Sequence, residues 1–143
     1  SKFVGWIAWL AASVLARQPT WKWLSDPDFG AMIIQLTREA ALLAARHGIP
    51  LRDQSPLYAA SLVSDSDAAA LERLASMGAD IHANAPAHRM SSLQDLERGA
   101  PLELAETIGF LLDEAEREGI AMPTVRCVYG QLRGIDRMNR SGT

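Results

Sequence analysis

The sequence is short of several things. It has one cysteine, Cys127, so no disulfide can close within the chain. A reducing, cytoplasmic setting is the natural expectation. Only two lysines occur, Lys2 and Lys22, and the arginines are scattered without a run of like charge. With a formal net charge of −3 and a pI near 5.6, the chain lacks the basic patch that binding to nucleic acid requires. The longest apolar run covers residues 3–16, short of the roughly 20 residues that span a bilayer. Two tryptophans inside that run and no A-x-A site argue against a signal peptide, although Lys2 stands where an n-region charge would. There is no initiator methionine, which suggests that the chain begins partway through a longer protein.

Chemical motifs are missing too. Neither G-x-G-x-x-G nor G-x-x-x-x-G-K-[ST] is present, so the chain carries no phosphate cradle for a nucleotide. His47, His82 and His88 have no metal-ligand spacing with Cys127 or with carboxylates, so no metal is expected. Cys127 reads as a small buried residue. No segment alternates convincingly enough to be a strand.

What remains is helix. At 143 residues and 48% apolar content, the chain is the size of one domain with a real core. The run over residues 3–16 is apolar all round, the mark of a helix enclosed by others. "PTWKWLSDPDFG" reads as a connector that ends in a helix start, with Asp26 as N-cap and Pro27 at N1. From there Phe29, Ile33, Leu36, Ala40 and Leu43 form one stripe, and Gly48 ends the helix. Residues 55–63 suit a short helix. The next is capped by Ser66 or Asp67 and stopped at Gly78, and "ADIHANAPAH" follows as loop. "SSLQDLERG" gives two turns capped by Ser91 or Ser92. Pro101 then opens a helix with Leu104, Ile108, Leu111, Leu112 and Ala115 inward, stopped at Gly119. Val125, Val128, Tyr129 and Leu132 mark a last helix from Pro123. The final ten residues read as a frayed polar tail. The fold class is all-α, a multi-helix bundle.

One stretch resists a purely structural reading. With Pro101 at N1, Glu103 falls at N3, where a capping box would hold it, yet its partner position is Ala100, which has no hydroxyl. On spacing alone Glu103 is a first-turn glutamate favoured by the helix dipole. Ser91 and Ser92 are ordinary caps, and Lys2 is a solvated terminal charge.

"SSLQDLERGAPLELAE", with "GIAMPTVRCVY" downstream, resembles the C-terminal domain of the 2-dehydropantoate 2-reductase (ketopantoate reductase) family. That family reads S-S-M-L-Q-D, then T-E-I-D, then a helix ending G-V-x-x-P. Ser91, Leu93, Gln94, Asp95, then Glu103, then Gly119, Ile120 and Pro123 stand at those positions. The likeness runs from Lys2 to about Leu132, with residues 52–88 matching only in length and helical character.

The resemblance implies a helical substrate-binding and dimerisation domain over residues 1–133, of the type shared with the C-terminal domain of 6-phosphogluconate dehydrogenase. Residues 134–143 would be the tail, and the nucleotide-binding Rossmann domain lies outside this chain. It further implies hydride transfer from NADPH to a 2-oxo acid. In the family's pattern Lys2 stabilises and protonates the developing oxyanion. Glu103 orients substrate and cofactor groups, and Ser91 binds substrate. Lys2, Ser91 and Glu103 are therefore expected to meet around one acid.

Two substrate-binding asparagines of the family are replaced by Trp6 and Leu10, and a third position holds Val125. That implies a larger or more apolar acid, or lost catalysis. The alternative reading is a non-catalytic helical interaction or dimerisation module that kept the scaffold. A homodimer is an assembly that the resemblance allows without fixing the oligomeric state, and no nucleic-acid or membrane partner is expected.

Overall fold

The computed structural model describes residues 2–55 and 57–141, apart from the side chains of Lys2 and Ser141. Helix α1 (Lys2–Ala16) is the innermost element, as its uniform apolarity requires. Ile7, Ala8, Trp9, Leu10, Ala11 and Ala12 are all buried, which leaves no face for water. Helix α3 (Pro27–Arg46) lies along it and is itself flanked by α5 (Asp67–Asn84) and the C-terminal α8 (Pro123–Ser141). Two short helices, α2 (Thr20–Ser25) and α4 (Ala59–Ser64), fill the corners against α5 and α3. Helix α6 (Ser91–Glu97) packs on α1, and α7 (Phe110–Arg117) packs on α3. No strand occurs among the described residues.

The helix ends follow local chemistry. The Asp26 carboxylate accepts from the Asp28 and Phe29 amides, and Ser66 Oγ accepts from the Ala69 amide, so both helices start on a side-chain cap. At the far end of α3, the Gly48 amide donates to Ala45 O and the Ile49 amide to Ala44 O. Gly48 sits at φ +66°, the left-handed turn that glycine enters without a Cβ penalty. Gly99 and Gly119 close α6 and α7 with the same pair of bonds. Where α3 and α7 end side by side, Glu118 receives His47 Nε2 at 2.9 Å, and its carbonyl takes Arg46 Nη1 at 3.0 Å.

Four expectations are corrected. Residues 20–25 form helix α2 rather than a plain connector. Gly78 does not stop α5, which continues to Asn84. A Cβ there would lie 2.4 Å from Ser25 Oγ and 3.1 Å from Trp21 O, so this glycine serves the close approach of α2 to α5. Trp21 then stacks on His82 at 4.1 Å.

Cys127 is exposed, because Val125, Val128 and Leu132 define the inner face of α8 and put position 127 on the outer one. The polar tail is helix as far as Ser141. Asp136 is buried, and Asn139 Nδ2 donates to Leu96 O at 2.7 Å, meeting one of the open carbonyls at the end of α6. No described helix is long and apolar enough to cross a membrane.

Glu39 has a role that the stripe pattern hid. It is buried in the middle of α3. Its two oxygens accept from the Thr124 amide at 3.1 Å and the Val125 amide at 2.9 Å. A carboxylate from another helix thus caps α8, where free N–H groups and the positive dipole end coincide.

Candidate active site

The segment between α6 and α7 is the least regular part of the bundle. Leu102 and Leu104 are both buried while Glu103 is exposed. Right-handed helical backbone is reached only at Leu104, so Pro101 does not begin a helix and Glu103 is not N3. Instead Glu103 is left-handed, at φ +56°, which strains any residue with a Cβ. The helix begins two residues later, at Ala105–Gly109, as one wide turn. There the Gly109 amide donates to Leu104 O at 2.9 Å, the i→i+5 bond of a π turn. Such turns are rare and recur at functional sites. Thr107 Oγ1 donates to the Glu103 carbonyl at 3.0 Å and fixes the strained residue to the turn behind it.

Glu103 opens onto a cleft of about 450 Å³ between this segment and α8. Glu106 shares its wall, and Tyr129, Arg133, Asp136 and Arg140 face them from α8. The guanidinium of Arg133 lies over the Tyr129 ring at 4.6 Å. Arg140 pairs with Asp136 at 3.2 Å, whereas Arg133 makes no ion pair among the described residues. The α8 residues were missed in the sequence, although Tyr129, Arg133, Asp136 and Arg140 recur at i, i+4, i+7 and i+11, one helical face.

The other expected site residues stand as follows. Lys2 is the first residue of α1, and its side chain lies outside the described residues. Ser91 is exposed at the start of α6 and does not cap it. The cap is Met90, with no side-chain bond. Ser92 does not cap either, since its hydroxyl is buried against Ser13 Oγ at 2.9 Å. That bond pins the start of α6 beside Ser13, roughly 16 Å of helix rise from Lys2. Trp6 is half-buried against the core, and Leu10 is 1% exposed within it. Ser91, Trp6 and Leu10 are not among the residues lining the Glu103 cleft. No cluster of His, Cys, Asp and Glu among the described residues could hold a metal ion.

Residues 1–136 match the family model described as ketopantoate reductase PanE/ApbA C terminal. The chain belongs to this family. A 2-dehydropantoate 2-reductase of Nostoc sp. is 34% identical over 55 residues, 38% of this chain and 17% of that protein. A solved dimeric ketopantoate reductase from Staphylococcus aureus superposes with a TM-score of 0.66 at 16% identity. It matches 96% of this chain, which spans 42% of that one. At that identity the likeness establishes the fold, and the family's C-terminal domain is the all-α bundle described here.

Proposed function

We propose that the chain is the substrate-side domain of an NADPH-dependent reductase that converts a 2-oxo acid to a 2-hydroxy acid. The observation that carries the reading is Glu103. The residue standing where the family's T-E-I-D glutamate stands is held in a left-handed conformation at the mouth of a cleft, ahead of a π turn. Arg17 and Tyr58 are left-handed too; what sets Glu103 apart is that its strained backbone lines the cleft directly ahead of the π turn.

The residues present do not fit the whole cofactor, because no glycine-rich phosphate turn exists in the chain. NADPH would be held by a separate nucleotide-binding domain and, when bound, would supply the hydride. This chain's residues handle charge and protons. As the carbonyl oxygen gains the electron pair, the Lys2 ammonium stabilises it and gives up the proton that makes the hydroxyl. Glu103 orients the groups at the reacting end, while Ser91, which does not line the Glu103 cleft, drops out of the proposed set. A homodimer belongs to the same reading, since the solved relative is described as dimeric.

A second reading has one observation in its favour. Leu10 is buried in the core, so one of the two replaced asparagines has become packing, as in a module that lost catalysis. NADPH oxidation by the chain joined to a reductase nucleotide-binding domain, assayed against a panel of 2-oxo acids, separates the two. The reductase reading expects turnover with at least one branched or apolar acid. Silence across the panel leaves the non-catalytic module.

A further inference from the structure

A 2-oxo acid is an anion, and the replaced asparagines leave α1 without two of the amides that would receive it. Leu10 offers no donor, and Trp6 is half-buried against the core. The Glu103 cleft holds a better candidate. A carboxylate is best met by a planar guanidinium that is held still and keeps its N–H edges free. Arg140 is already committed to Asp136 at 3.2 Å. Arg133 lies over Tyr129, with Cζ 4.6 Å from the ring centroid, and forms no ion pair among the described residues, although Glu103 and Glu106 line the same cleft.

The position of Arg133 is built, not incidental. A Cβ at Gly109 would lie 2.6 Å from the Tyr129 hydroxyl, so only glycine lets that ring rest on the π turn. The π turn is tied to Glu103 through Thr107. Glycine, ring and guanidinium therefore form a chain of contacts that sets a cation across the cleft from the strained carboxylate.

We propose that Arg133 anchors the carboxylate of the 2-oxo acid, a role resting on the reading above that such an acid is the substrate. The test is binding to the chain itself, without cofactor. Backbone amide shifts would be followed while 2-oxo-3-methylbutanoate, its neutral methyl ester, or acetate is added. The acid should perturb the amides of residues 103–109 and of Arg133, and the ester and acetate should not. Arg133→Gln should weaken acid binding about tenfold or more, and Arg133→Lys should fall between it and the native chain.

Arg126→Gln is the control. It removes another exposed arginine of α8, which lines a neighbouring hollow that Arg133 and Tyr129 also border but not this cleft, and should leave affinity within about twofold. Matching unfolding curves would show that Arg133→Gln still folds. The proposal is overturned if the acid does not bind, if the ester or acetate binds as well, or if the Arg126 and Arg133 variants lose affinity equally. Because no turnover is read, a chain that holds the acid through Arg133 yet never oxidises NADPH would keep this subsite and lose the reductase reading.

Discussion

Glu103 is held at a costly backbone angle where it lines the cleft. Its left-handed φ of +56° is where glycine sits without penalty and a glutamate does not. Glu103→Gly should therefore raise stability by about 0.5–1 kcal/mol in denaturant unfolding while removing turnover. A variant no more stable than the native chain would show that the strain is not there. The sequence hid this because Pro101 followed by a glutamate two residues on mimics a helix start.

Asp53 gives a second test at this scale. The Ser61 hydroxyl donates to the carboxylate and, with help from the Ser61 amide, holds its pKa below the ordinary aspartate value against the opposing effect of burial. A depressed folded pKa contributes stability above the unfolded value and loses it as pH falls through the folded one. Asp53→Ala should thus be slightly less stable at neutral pH, by less than about 1 kcal/mol for so exposed a pair. The gap should close below about pH 4. A gap that persists in acid would contradict the assignment.

Among the elements, α8 depends on help from outside its own sequence. Glu39→Ala would strip the acceptor from the Thr124 and Val125 amides and should cost about 2–4 kcal/mol, with hydrogen exchange rising first at the start of α8. Glu39→Gln, which keeps one acceptor oxygen, should cost less. Equal losses for the two variants would mean that packing, not capping, is what matters there. Gly109→Ala pushes Tyr129 off the π turn and should cost about 1–3 kcal/mol. A neutral effect would imply that the ring simply rotates away.

Helix boundaries set by side-chain caps or Schellman glycines were readable from the sequence, as at Asp26, Ser66, Gly48 and Gly119. Those set by tertiary contact were not. Gly78 looks like a stop but packs under α2, and the tail looks disordered but meets α6 through Asn139. The cap on α8 comes from a residue 85 positions upstream, which no local window contains.

Over the whole molecule, the all-α class and the enclosed α1 followed from periodicity and from an apolar run too short for a bilayer. The expected trio of Lys2, Ser91 and Glu103 came only from the family motif, since the three are distant in sequence and each is ordinary alone. Of them Glu103 lines the cleft, Ser91 does not, and the Lys2 side chain lies outside the described residues. Arg133 escaped even the motif, since its meaning lies in the ring beneath it and the glycine beneath the ring.

The most direct measurement is single-turnover reduction of a 2-oxo acid by the chain joined to a reductase nucleotide-binding domain, comparing the native sequence with Lys2→Ala. If Lys2 supplies the proton, the reduction rate should fall by about 10²–10⁴ while acid binding is retained. An unchanged rate in the variant would contradict the account.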